Sequence, residues 1–185
     1  RATGTLRALG QEGGVTQWMR TLAMPLQGSL LLANGWLFGG GSDGSFYGFD
    51  SSTGDIKWSF KYNAPFNCKP VLSSTRIFAG SEDGHLLALE AQTGRLLWRY
   101  RTKGPVRGPV AVANENIYFG SGDGYVYALR SADGKLLWRN RTGAGVQSVA
   151  RVDDSLLVAS LDNFVYLFSL NGSRIWKRQL PGRVS

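Results

Sequence analysis

The chain of 185 residues carries 21 Lys and Arg against 13 Asp and Glu, a net charge of +8, with 43% hydrophobic residues and 25 glycines. That apolar content supplies one folded core and excludes a disordered chain, while no run approaches the roughly 18–20 apolar residues that a membrane helix needs. Cys68 is the sole cysteine, which excludes an internal disulfide and a thiolate metal cluster and leaves the redox compartment open.

The chain opens inside a repeat. Residues 2–18 place Gly4, Gly14 and Trp18 in register with everything that follows, as the last two strands of an incomplete unit. The first full unit has apolar runs from Trp36 to Gly40 and from Phe46 to Phe49, joined by Asp43-Gly44, a dipeptide that tolerates the positive φ of a tight hairpin. A second turn, Ser52-Thr53-Gly54, leads into the strand of Trp58. The next unit repeats this with Asp83-Gly84, Gln92-Thr93-Gly94 and Trp98, and the next with Asp123-Gly124, Ala132-Asp133-Gly134 and Trp138. In the last, Asp162-Asn163 stands for Asp-Gly, and Asn171-Gly172 precedes Trp176. The tryptophans Trp18, Trp58, Trp98, Trp138 and Trp176 are thus 40, 40, 40 and 38 residues apart, each four residues after a glycine.

Self-similarity at this period, with four short runs per unit and aromatic and glycine positions recurring, is the pattern of a β-propeller. The third run of each unit has two apolar faces, for example Tyr125, Tyr127 and Leu129 against Val126 and Ala128, as a sheet sandwiched between two others requires. No stretch has a capped helical period, so the predicted class is all-β: one propeller domain over 1–185, with a partial blade at 1–26 and four-stranded antiparallel blades at 27–66, 67–106, 107–146 and 147–185. The five tryptophans are blade-docking residues, each burying its area against a neighbouring sheet. Trp36 lies outside the register and is a candidate for lining a surface or channel site. Both ends contribute outer strands, so they do not complete one blade together. Either the chain belongs to a longer propeller, or its four blades close alone with a spare hairpin.

In letters the units resemble the pyrroloquinoline-quinone-like (PQQ-like) repeat, roughly G-x-x-D-G-x-x-x-A-L-x-x-x-T-G-x-x-x-W. Gly84 to Leu89 with Thr93-Gly94 and Trp98, and Gly124 to Leu129 with Gly134 and Trp138, follow it nearly position for position. The resemblance covers essentially the whole chain and implies a larger propeller, of about eight blades. It is similar both to the outer-membrane protein assembly lipoprotein scaffolds and to the quinone-dependent dehydrogenases, so it is more specific for fold than for function.

The excess positive charge falls on the outer strands. Arg99, Arg101, Arg139, Arg141, Lys177 and Arg178, with Lys57, Lys61 and Lys103, predict a basic rim, because in Trp138-Arg139-Asn140-Arg141 the arginines alternate with the packing tryptophan. One reading is that edge cations keep sheets from adding to one another. The other is an anionic partner, a membrane surface or the acidic face of a larger complex. Nucleic acid is set aside, since no known nucleic-acid motif accompanies the charge.

A polar position recurs where the chain crosses between blades: Pro25, Pro65 and Pro105 are each followed two residues later by Gln27, Asn67 and Arg107, with Gln147 next in register. These four predict a ring at one mouth of the central channel, the candidate ligand or partner site. No catalytic residue, metal site or cofactor is assigned. The related dehydrogenases carry an adjacent cysteine pair, a calcium site of Glu, Asn and Asp, and a catalytic Asp, whereas Cys68 has no neighbouring cysteine. His85, the only histidine, sits beside a hairpin turn, and the sequons at Asn140 and Asn171 are of a kind that arises by chance. The sequence reading is therefore a non-catalytic protein-interaction scaffold, an accessory subunit or assembly factor of a membrane-associated complex, periplasmic or otherwise extracytoplasmic by resemblance. The alternative is a PQQ-dependent dehydrogenase-like or other small-ligand propeller.

Overall fold

The computed structural model describes residues 3–181. A two-stranded sheet of β1 (Gly4–Leu9) and β2 (Thr16–Leu22) precedes four antiparallel sheets of four strands. The first comprises β3 (Leu26–Ala33), β4 (Trp36–Gly41), β5 (Ser45–Asp50) and β6 (Ile56–Lys61). β7 (Val71–Ser73), β8 (Arg76–Gly80), β9 (His85–Glu90) and β10 (Leu96–Arg101) form the second. In the third are β11 (Ala111–Ala113), β12 (Asn116–Gly120), β13 (Tyr125–Arg130) and β14 (Leu136–Arg141). β15 (Val146–Val152), β16 (Ser155–Ser160), β17 (Phe164–Ser169) and β18 (Arg174–Gln179) complete the last. Each sheet is a meander in chain order, which is the blade of a propeller, and the described residues contain no helix.

The hairpin turns form as their residues dictate. Gly44, Gly84 and Gly124 adopt φ of 80°, 86° and 83°, and Asn163 takes the same left-handed region at 65°. The third strand of the third blade is buried on both faces: Val126 and Ala128 pack against the fourth blade, while Tyr127 and Leu129 pack against the second. Each of the first three full blades is therefore a layer in a stack, with its core shared with both neighbours.

The tryptophan period is the docking device, though its partner lies one blade further on. Trp18, Trp58, Trp98 and Trp138 donate their indole N–H to the carbonyls of Ser51, Ala91, Ser131 and Leu170 at 2.9–3.1 Å, all in the second turn of the following blade. In that same turn, a Cβ on Gly54, Gly94, Gly134 or Gly172 would run into the docked ring. These glycines also have φ between 71° and 94°, so the position excludes a side chain twice over.

A second seam runs through the hairpin aspartates. Asp123 and Asp162 each accept a bond two residues on, from Tyr125 N and Phe164 N (both 3.1 Å), and reach back to the preceding blade's exit at Lys103 N (2.9 Å) and Gly143 N (2.8 Å). Burial alone would raise the Asp162 carboxyl, but hydrogen bonds from Tyr166, Ser160 and the Gly143 and Phe164 N–H groups outweigh it and hold it low. Burial and that same carboxylate push the Tyr166 phenol up to about 12. Asp43 and Asp83 are likewise lowered. A carboxyl depressed in the folded state stabilises above its unfolded pKa of about 4 and loses that contribution as pH falls through the folded value. Melting temperature is expected to hold between pH 7 and about pH 5 and to fall below about pH 4. The Asp162→Asn variant should be less stable at pH 7 by about 1–3 kcal/mol and should lose part of the acid dependence, read from thermal melts at both pH values.

Candidate functional site

The four polar positions take two forms. Gln27 lies in β3 and Gln147 in β15, each beside a register shift, while Asn67 and Arg107 lie in the connections ahead of β7 and β11. Glu82 joins two of them. Asn67 Nδ2 donates to its Oε1 at 2.8 Å, and Arg107 approaches with Nε at 2.8 Å and Nη2 at 2.7 Å, a forked contact. The Arg107 hydrogen bond, opposed by burial and helped by Asn67, holds the Glu82 carboxyl below its ordinary value. Asn67 Oδ1 is buried without a hydrogen-bond partner among the described residues. Gln27 and Gln147 are exposed and their side chains make no hydrogen bond among the described residues, although Gln147 shares a cleft of about 60 Å³ with Arg107, Pro105 and Leu161. Sequence reasoning missed Glu82 because its repeat equivalents are Ser42, Gly122 and Leu161; its charge is a departure within its own column.

The basic side chains divide into spent and free. Arg20–Asp55, Lys61–Asp43 and Arg107–Glu82 are ion pairs at 2.7–2.9 Å, and Arg130 pairs with Asp133. None of Arg99, Arg101, Arg139, Arg141, Lys177 and Arg178 forms an ion pair among the described residues. Three of them lie over aromatic rings: Arg139 above Tyr125 at 5.0 Å, Lys177 above Phe164 at 3.7 Å and Arg178 above Trp176 at 5.0 Å. These contacts orient the cations without neutralising them.

Of the remaining candidates Trp36 borders a surface groove, and the others are held within the fold. Trp36 stacks on Phe38 with centroids 5.9 Å apart and borders a groove of about 240 Å³ with Asn34, Leu72 and Gln92. His85 packs edge-on to Tyr62, and its Nδ1 lies 3.0 Å from Asp83 Oδ2. Asn140 Nδ2 donates to Gly172 O at 2.6 Å and Thr142 is buried, so this sequon is part of a blade junction. Cys68 is buried, its Sγ accepts Gly80 N–H at 2.7 Å, and burial pushes its thiol up to about 11, which leaves it inert as a nucleophile.

These residues do not fit a quinone and its calcium ion. The one thiol is sealed in the core, Asn67 and Arg107 are committed to Glu82, and no group of three His, Cys, Asp or Glu among the described residues could hold a metal ion.

Stacked four-stranded blades with an inter-blade tryptophan define a PQQ-like repeat propeller. The family model described as outer membrane protein assembly factor BamB matches residues 2–107 and 101–184, and the chain belongs to that family. Among solved structures it is similar to BamB from Moraxella catarrhalis, with TM-score 0.85 and 19% identity over 96% of this chain and 56% of that one. It is also similar to quinohemoprotein alcohol dehydrogenase from Comamonas testosteroni, with TM-score 0.83 and 15% identity over 96% of this chain and 40% of that one. The computationally designed Ika8 protein gives TM-score 0.81 and 15% identity over 93% of this chain and 55% of that one. At these identities the likenesses speak to fold, and the chain spans between 40% and 56% of the length of these structures. No curated protein sequence matches it significantly.

Proposed function

We propose that this chain is a non-catalytic scaffold that holds a protein partner in a membrane-associated assembly outside the cytoplasm. The observation that carries this reading is the state of the basic side chains: among the described residues the six rim cations have no carboxylate partner, while Lys61, Arg107 and Arg130 are satisfied within the fold. Exposed unpaired cations on a rigid stack steer and hold an anionic surface. Membership of the BamB family and the BamB likeness support a partner of the assembly type.

The test is affinity capture from detergent-solubilised envelope membranes, with partners identified by mass spectrometry and confirmed by binding to the purified partner. A stoichiometric partner released as salt rises from about 50 to 500 mM is the expected result. A parallel melt with pyrroloquinoline quinone and calcium is expected to leave the melting temperature unchanged. A saturable rise lost in Arg107→Ala would instead favour a small-ligand propeller, because binding to the native state alone raises stability.

A further inference from the structure

A cavity of about 560 Å³ opens between the second and third full blades, lined by Asp83, Arg101, Thr102, Lys103, Tyr127 and Arg139. The sequence places Arg101 and Arg139 on the rim at separate repeats; the fold brings them to one cleft. Tyr100 of β10 meets Tyr127 of β13 edge-on at 5.8 Å, and Arg139 is the cross-strand neighbour of Tyr127, so β14 presents its cation to the side that β10 borders.

The balance of satisfied and unsatisfied groups in this cleft is unequal. In the first full blade the residue equivalent to Arg101 is Lys61, and its ammonium is fastened to the hairpin Asp43 carboxylate at 2.9 Å and carbonyl at 2.7 Å. In the second blade the hairpin aspartate is engaged from behind. Tyr62 Oη donates to Asp83 at 3.2 Å, and His85 packs against the same oxygen. Arg101 is left without an ion pair, as are Lys103 and Arg139, among the described residues. The neutral donors are spent: Thr102 Oγ1 bonds the Gly84 and Gly104 carbonyls at 2.8 and 2.7 Å, while Tyr127 Oη and Lys103 N both bond Asp123.

We infer that this inter-blade cleft binds a short acidic segment of the protein partner, its carboxylates taken by Arg101, Lys103 and Arg139. The donors still free are two guanidinium forks and one ammonium, which suit planar carboxylates. Asp83 in the wall, whose oxygens already accept Tyr62 Oη and Ser81 Oγ, repels a compact, multiply charged phosphate more than singly charged carboxylates spaced along an extended peptide. Lys103 N, a backbone donor of the lining, is already taken by Asp123 Oδ2 at 2.9 Å and is not free for a phosphate oxygen. This inference rests on the scaffold reading and names the chemistry of its contact.

The probe is a fluorescein-labelled, end-capped peptide of alternating Glu and Gly, followed by fluorescence anisotropy at low salt. Saturable binding is expected, weakened at least about tenfold in Arg101→Glu/Arg139→Glu and less than about twofold in Lys135→Glu/Arg174→Glu, which reverses two exposed cations outside the cleft. Matching thermal melts for the two double variants establish that both are folded. Absence of saturable binding, or equal weakening in both, overturns the cleft, since equal weakening means attraction to net charge alone. Displacement of the peptide by inorganic phosphate, or by phosphatidylglycerol vesicles, at a lower charge concentration than unlabelled peptide requires would overturn the peptide assignment. If the partner captured from membranes still binds Arg101→Glu/Arg139→Glu unchanged, the cleft fails and the scaffold stands; if the wild-type chain captures no partner, the scaffold reading fails.

Discussion

Replacing Trp58 with alanine is expected to lower the unfolding free energy by about 3–5 kcal/mol, the cost of emptying a large aromatic site that cannot collapse. Trp58 is 9% exposed, donates to Ala91 O at 3.0 Å, and packs between Phe38 and Phe46 at centroid distances of 6.0 and 6.2 Å. Its cluster includes Ile77, Leu87 and Leu89, which belong to the following blade, so the cavity would open at a junction between two sheets. Trp176 occupies the same repeat position on the last described strand but is half-buried, and its indole has no hydrogen-bond partner among the described residues. Trp176→Ala should therefore cost less, about 1–2 kcal/mol. Urea denaturation compares the two: a shift in midpoint at constant slope reports stability alone.

The second large effect is expected at Gly94, the seat of that ring. Its φ is 71°, where a side chain costs about 1–2 kcal/mol, and a Cβ there would overlap Trp58 Cε3, adding about 1–3 kcal/mol of overpacking. The two changes should not add. Once Trp58 is alanine the overlap disappears, and Gly94→Ala should then cost only the backbone strain. The cycle Trp58→Ala, Gly94→Ala and the double variant is expected to give a coupling of about 1–3 kcal/mol. Strict additivity would mean that the glycine is required for its turn alone, and that the contact between blades is incidental.

The blades were legible in the sequence because their determinants are local. Asp43-Gly44 and its repeats specify a hairpin from two residues, and alternation in Tyr125 to Leu129 reports burial on both faces. The docking partner of each tryptophan was not legible. Trp58 follows Gly54 by four residues, yet Gly54 receives Trp18 and Trp58 seats on Gly94; a period alone does not say which copy meets which. The basic rim was readable from alternation within single strands. Its division into paired and free cations depends on carboxylates from other strands, as Lys61 on Asp43 and the vacated Arg101 show. Asn67 and Arg107 meet through Glu82, a contact the sequence did not show because that column carries no repeat signal.

On the proposed scaffold reading, the free cations of the outer strands hold the partner, and the polar positions where the blades connect do not. Hydrogen exchange on the complex with the captured partner tests it most directly, because amides covered by a partner exchange more slowly than in the free chain. Protection is expected over β10, its exit at Lys103, and β14, with the connections carrying Asn67 and Arg107 exchanging as they do in the free chain. Protection confined to residues around Gln27, Asn67, Arg107 and Gln147, with β10 and β14 unchanged, would contradict it.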